Sequence, residues 1–354
     1  MNIDLFSTTI ALLTFFGIAA LMAISLNLEY GAAGIPNFGQ AFFVSIGAYI
    51  GGLTYTRLLP LLAGREFIYP CGTTLTAALQ LRTEIISTQP AVVLLNFALT
   101  LIIAGVVGGI VGYFVSYVAL RLNQEWFLAL ILLVGGEVVR IIVRGYEPVL
   151  CASNGLAGIG QPFTWTNNPQ VSSVLFAALV LFAALLAYLY AERLLRSPYG
   201  RLLKGMREND RVTRSLGKNI TRVRAQVMFI GSAIAAVAGV FFAVNVGFVN
   251  TNDYVVTLTL DVWVMVVLGG LGNNRGALLG ALVITVLDRV TAILAIQLNR
   301  VGSDFEFNYV RFIIFGVLLL LMLRYRPQGL LPEPRQTTDA HRQLEKASEG
   351  TEPA

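Results

Sequence analysis

The feature that most restricts this chain is a set of apolar stretches, each about as long as a lipid bilayer is thick. Thr8–Leu28, Ala91–Val118, Val171–Tyr190 and Ala225–Asn250 contain no Asp, Glu, Lys or Arg. A helix needs about 20 mainly apolar residues to cross the hydrocarbon core. In lipid such a stretch must satisfy its own backbone groups, which a helix does. Composition agrees: 56 % of the residues are hydrophobic and 13 % charged, with a mean hydropathy of +0.72. A soluble domain carries about 25 % charged residues. The expected fold is therefore an all-α polytopic membrane protein.

Further apolar stretches at Ala41–Leu62, Trp126–Val143, Leu258–Leu271, Ala277–Leu298 and Tyr309–Leu323 bring the expected crossings to nine. Glu29–Gln40 (EYGAAGIPNFGQ) and Gly269–Gly276 (GGLGNNRG) are Gly-rich interruptions. Each reads either as a broken or re-entrant helix or as a tight turn. Gly64–Pro90 and Arg144–Val171 are polar enough to be loops, and overlapping GxxxG spacings at Gly105, Gly108, Gly109 and Gly112 suit close helix packing. The membrane-spanning body is expected to cover 1–331. Residues 332–354 are too polar to bury a core and are read as a disordered tail.

The net charge of +5 would suggest nucleic acid in a soluble protein, but here it is concentrated in one loop. Glu192–Arg224 holds ten Lys or Arg against three Asp or Glu. Short basic loops between spans stay in the cytoplasm. Fixing this loop inside, with nine crossings, places the N-terminus outside and the tail inside. It also puts Arg324 and Arg326 on the cytoplasmic side. The first residues carry Asp4 and no Lys or Arg, unlike a cleavable signal. Within the loop, Ser197 before Pro198 is a helix start and Gly217 a stop. Leu202, Leu203 and Met206 form an apolar patch among the charges. The loop is either a solvated topology marker or a short helix docked on a cytoplasmic partner.

Several chemistries lack their residues. No G-x-x-x-x-G-K-[ST] loop is present, so ATP is not expected to be hydrolysed on this chain. Gly270, Gly272 and Gly276 lack dinucleotide spacing. The single histidine, His341, lies in the tail. Cys71 and Cys151 have no metal-ligand spacing; both fall in outer loops, where they either pair or stand as separate thiols. An enzyme is not expected, nor any cofactor or metal on this chain.

Polar residues in the spans mark either a path or a structural pair. Glu137 and Arg140 stand three apart on one helix and are close enough to pair. Asp261 and Asp288 are further acids in spans. Asn37 and Gln40 in the first interruption, and Gly269, Gly270 and Gly272 in the second, are candidates for a substrate pathway. Asn154 is a candidate at the outer mouth.

The motifs taken together resemble the LivM-type permease subunits of branched-chain amino acid ABC importers. GAAGIPNFGQAFFVSIGAY (Gly31–Tyr49), SNGLAGI (Ser153–Ile159), SPYGRLLKGMREND (Ser197–Asp210), VVLGGLGNNRGALLGA (Val266–Ala281) and RPQGLL (Arg326–Leu331) occur in family order. Pro36–Asn37 stands where the family usually has Ser-Leu, and Ala277 replaces a common Pro. The resemblance implies a multi-pass subunit of a prokaryotic inner membrane. Its implied partners are a second, LivH-type permease, two cytoplasmic ATPase subunits carrying ATP and Mg, and an extracytoplasmic amino acid binding protein. It implies that Ser197, Pro198, Gly200, Arg201, Leu202, Leu203, Met206, Arg207, Glu208 and Gly217 form a coupling element for the ATPases. Related permeases carry urea or short amides. An ion-coupled secondary transporter, using Glu137, Asp261 or Asp288, is the rival from another class, and a channel is a third reading.

Overall fold

A computed structural model describes residues 4–119, 125–166, 168–299 and 310–333. Among the described residues the regular structure is helical, apart from a two-residue antiparallel ladder. In order, the helices are α1 (Leu5–Leu26), α2 (Gln40–Leu53), α3 (Leu59–Leu62), α4 (Leu75–Thr88), α5 (Pro90–Ala119), α6 (Glu125–Gly145) and α7 (Glu147–Leu150). They are followed by α8 (Pro169–Arg196), α9 (Pro198–Glu208), α10 (Asp210–Ser215), α11 (Ile220–Val246), α12 (Val256–Gly269), α13 (Asn274–Asn299) and α14 (Val310–Tyr325). π-helical turns extend α1 through Asn27–Ala32 and join α2 to α3 through Thr54–Leu58.

Each of the nine stretches read as crossings holds a helix, but among the described residues six helices are long and apolar enough to cross a bilayer. These contain α1, α5, α8, α11, α12 and α13. The other three helical stretches differ in charge or length. The run through α2 and α3 carries Arg57, α6 carries Glu137, Arg140 and Arg144, and the apolar part of α14 is the short Ile313–Met322.

The core forms around α11, which packs against α5, α2 and α1, while α1 also packs on α8 and α13. Close approach explains the small residues at these crossings. A Cβ at Gly47 of α2 would overlap the Ala236 carbonyl of α11, and one at Gly239 of α11 would overlap the Val44 carbonyl of α2. The two backbones therefore touch at two points. Of the GxxxG glycines, Gly108 and Gly112 face Ala236 and Ser232 of α11.

One end of the bundle holds the basic loop, the Gly269–Gly276 turn and residues 326–333. The opposite end holds the N-terminus of α8, α4, α7 and the ladder of Leu156–Ala157 (β1) with Phe248–Val249 (β2). Residues 64–90, expected to be a loop, include α4. Its Arg82 is buried and donates to the carbonyls of Ala78 (3.0 Å) and Ala157 (2.7 Å), which locks α4 onto β1. Cys71 and Cys151 are joined in a disulfide that ties this cap together across 80 residues of sequence.

Three substitutions test these contacts by their effect on stability. Gly47→Leu should lower the melting temperature in detergent, since overpacking costs about 1–3 kcal/mol or more. Gly135→Ala, with nothing within 4 Å of its new methyl group, should be neutral or stabilising in the same melt. Cys71→Ser should cost about 2–5 kcal/mol and show as an earlier melt that reductant does not advance further.

Candidate functional site

The break after α1 brings most of the buried polar groups together. Glu29 is the one fully buried acid among the described residues. Its Oε2 accepts from Asn37 Nδ2 (2.6 Å) and Gln40 Nε2 (3.0 Å). Gln40 also reaches Ser25 Oγ (3.2 Å), which in turn donates to the Gly231 carbonyl of α11 (2.8 Å). Gly231 lies directly over the Glu29 carboxylate, where any Cβ would collide with it. Asn37, Gln40 and Ser25 are all fully buried.

Several backbone groups of this break are paired within the protein. Ile35 N–H donates to the Glu29 carbonyl and Gly34 N–H to that of Tyr30, both at 2.9 Å. Gly39 N–H donates to Asn37 Oδ1 (2.8 Å), and Trp263 Nε1 of α12 donates to the Asn37 carbonyl (3.0 Å). Ala41 N–H donates to Thr259 Oγ1 (3.0 Å). The chain is able to leave the helix here because side chains replace the lost helical partners.

The two Gly-rich interruptions meet. Asn27 Oδ1 accepts from Gly272 N–H (3.0 Å), and Asn27 Nδ2 donates to Asn274 Oδ1 (2.9 Å). A Cβ on Gly31 would lie 2.6 Å from Gly272 N. Gly269 and Gly270 sit in the same turn, where their backbone is covered by Gly329 and Leu331 from the C-terminal segment. Of the residues expected to line a path, Asn37, Gln40, Gly269, Gly270 and Gly272 are thus in one region. Glu137 and Arg140 pair with each other on α6 (2.8 Å), as their spacing suggests, and Arg140 also reaches Asn252 (3.4 Å). Asn154 is exposed at the opposite end of the bundle and takes no part in this region.

The basic loop is folded against that same region. Ser197 caps α9 by accepting from Gly200 N–H (3.4 Å), and Pro198 occupies its first turn. The loop forms two helices rather than one continuous helix to Gly217. Asn209 adopts an extended conformation and caps α10, accepting from Val212 N–H (3.1 Å). Gly217 ends the unit at φ +74°.

The apolar patch faces inward. Leu203 and Met206 are buried within the chain, Leu202 is half-buried, and Gly200 packs on the Leu195 backbone. Arg201 and Glu208 are exposed, as are Val212 and Leu216 of α10, two apolar residues outside the expected set. Arg207 turns inward. It donates to the Gly31 carbonyl within the break and to Glu333 (2.7 Å), and its side chain abuts Gly34, which holds φ +71°.

Pro332 and Glu333, assigned from the sequence to the tail, thus belong to the folded body; residues 334–354, including His341, lie outside the described residues. Glu333 also accepts from Lys204 (2.7 Å). Burial would raise its pKa, but the hydrogen bonds and charges of Lys204 and Arg207 together hold it below the ordinary value of 4.5. A cleft of about 600 Å³ opens beside this junction, with Tyr30, Phe38 and Trp263 as its aromatic wall and Arg207 and Glu333 at one end. Phe38 stacks on Trp263 with ring centroids 4.6 Å apart.

Comparison with known families gives a match to the one described as "Branched-chain amino acid transport system / permease component", covering residues 8–323. The chain belongs to this permease family. It is 36% identical, over 94% of its length and 95% of the relative's, to a Methanocaldococcus jannaschii protein named "Probable branched-chain amino acid transport permease protein LivM". From Escherichia coli K12, the high-affinity branched-chain amino acid transport system permease protein LivM is 27% identical over 92% of this chain and 71% of that protein. LivH of the same organism is 26% identical over 89% of this chain and 91% of that protein. No solved structure matches the chain significantly. The protein is thus a multi-pass membrane transport subunit rather than an enzyme.

Sequence reading of the permease named Asn37 and Gln40 but missed the group they serve. A signal was present: Glu29 is the only charge between Asp4 and Arg57. Substituting Glu29 tests the cluster. Glu29→Leu leaves the Asn37 and Gln40 amides buried without their acceptor, at about 1–3 kcal/mol for each unsatisfied group. Glu29→Gln keeps a carbonyl oxygen there. The Leu variant should melt well below the Gln variant when unfolding is followed by tryptophan fluorescence in detergent.

Proposed function

We propose that this chain is one permease subunit of an ATP-driven importer that carries branched-chain and other neutral amino acids into a prokaryotic cell. The observation that carries the reading is the contact of Arg207, on the basic helix α9, with the Gly31 carbonyl inside the broken end of α1. A push on α9 would therefore act directly on the broken end of α1. ATP and Mg would be held by two separate cytoplasmic ATPase subunits, whose closure moves α9 and α10. Arg201, Val212 and Leu216 face outward and suit contact with those subunits.

The second permease would be LivH-type. Similarity to both LivM and LivH proteins of one organism supports a pseudo-symmetric pair. A binding protein would deliver substrate to the disulfide-tied end, which therefore faces outward. In this orientation all nine helical stretches cross, the N-terminus lies outside and the C-terminus is cytoplasmic. The aromatic wall of Tyr30, Phe38 and Trp263 suits an aliphatic side chain leaving on the inner side. Alternating access is a shift between two states, which nucleotide on the partners biases through α9.

Reconstituted uptake tests the reading. Labelled leucine should enter proteoliposomes only with both permeases, the ATPase subunits, ATP and the binding protein, and excess urea or acetamide should not compete. Uptake by this chain alone, driven by an ion gradient, would overturn it. In intact cells an impermeant maleimide should label a cysteine placed at Glu66 and spare one placed at Ser215. Arg201→Glu and Arg207→Glu should both uncouple hydrolysis from uptake, by different routes. Arg201→Glu should weaken co-purification of the ATPase subunits. Arg207→Glu should leave co-purification intact while uptake falls.

A further inference from the structure

We propose that Glu333 is a positioning residue for transport: it fastens α9 to the α12–α13 turn, so that one movement of α9 reaches both Gly-rich interruptions. The inference rests on the reading of α9 as the receiver of work from the ATPase subunits.

Glu333 lies between two cations of one helix face. Lys204 and Arg207 stand three apart on α9, and each approaches the Glu333 carboxylate to 2.7 Å. The three side chains are between 18% and 25% exposed, so solvent and salt screen them less than an open surface pair. The segment that carries Glu333 is itself built into the turn. Leu330 and Leu331 donate their N–H groups to the Leu268 and Gly269 carbonyls, both at 2.9 Å. Carbonyls at a helix C-terminus have no partner within the helix, and here the C-terminal segment supplies them. Asn273 Nδ2 donates to the carbonyls of Leu331 (3.3 Å) and Pro332 (3.0 Å). Gly272 abuts the carboxylate at φ +75°, and a Cβ there would lie 2.9 Å from it.

Residues 330–333 are therefore a strap that is continuous with the turn at one end and ion-paired to α9 at the other. Arg207 joins the two lines of contact, because it holds Gly31 with one nitrogen and Glu333 with the other. Without Glu333, α9 would still touch the α1 break but would lose its ionic grip on the turn.

The test uses the whole complex in proteoliposomes with saturating binding protein and reads amino acid taken up per ATP hydrolysed. Coupling free energies between sites correspond to about 5- to 150-fold. Glu333→Gln should lower the ratio by about fivefold or more, with the ATPase subunits still co-purifying. Glu333→Asp should restore most of it. A chain ending at Glu333 should match the full-length protein. An unchanged ratio in Glu333→Gln would overturn the proposal. So would uptake and hydrolysis falling together, or loss of the ATPase subunits, since either makes Glu333 a folding or docking requirement. If Glu333→Gln does not accumulate, Lys204→Gln is read the same way: a lowered ratio supports the strap and an unchanged one removes it. A wild-type complex that fails to couple uptake to ATP would strike the transporter reading instead.

Discussion

A helix that stops inside a membrane protein must find new partners for the backbone groups it releases, and the rest of this structure depends on how that is done at Glu29–Gln40. Each unsatisfied group in an apolar setting is expensive. Here Asn37 within the break, Thr259 and Trp263 of α12 and Arg207 of α9 supply the missing partners. The carboxylate of Glu29 gathers the amides of the break, and the glycine at position 231 lets α11 close over it. The break is thus a defined shape rather than a slack hinge. Because its partners come from several elements, displacement of any one of them is felt there.

The basic helix is attached to this shape and is not merely near it. Its apolar side packs into the bundle, its outward side is left to charges, and one arginine reaches the backbone of the break. The inward packing fixes where α9 sits. The polar contacts of Lys204 and Arg207 tie it to Glu333 and to the Gly31 carbonyl. The backbone contacts of α2 with α11 at Gly47 and Gly239 give the α2 side of the break a stiff support. In the proposed mechanism, displacement at α9 would be directed to the junction between the two interruptions.

Much of this was legible in the sequence where the determinants are local. Charge-free stretches mark the helices, Ser197 with Pro198 marks the start of α9, Gly217 marks the end of the loop, and the Gly and Pro content of 29–40 marks the break. What could not be read depends on contacts across the chain. Asn27 meets Gly272 across 245 residues, and nothing in either segment alone announces the other. Arg207 sits among ten basic residues and differs from Arg201 only in the direction it faces. Glu333 reads as part of a polar tail because its value comes from Lys204 and Arg207, more than a hundred residues earlier. Among the described residues six helices meet the length and apolarity of a span, against nine expected; charge in the α2–α3 run and in α6, and the short apolar part of α14, separate these three from the rest.

The Cys71–Cys151 bond carries a consequence for how the protein is made. Its two halves are separated by α4, α5, α6 and α7, so neither thiol has its mate until the α5–α6 pair between them has been inserted. In the proposed orientation both then emerge on the oxidising side. Closure of the bond would mark the moment at which the loops before α4 and after α6 have met on that side, and the redox state of these two sulfurs in newly made protein would serve as a clock for insertion.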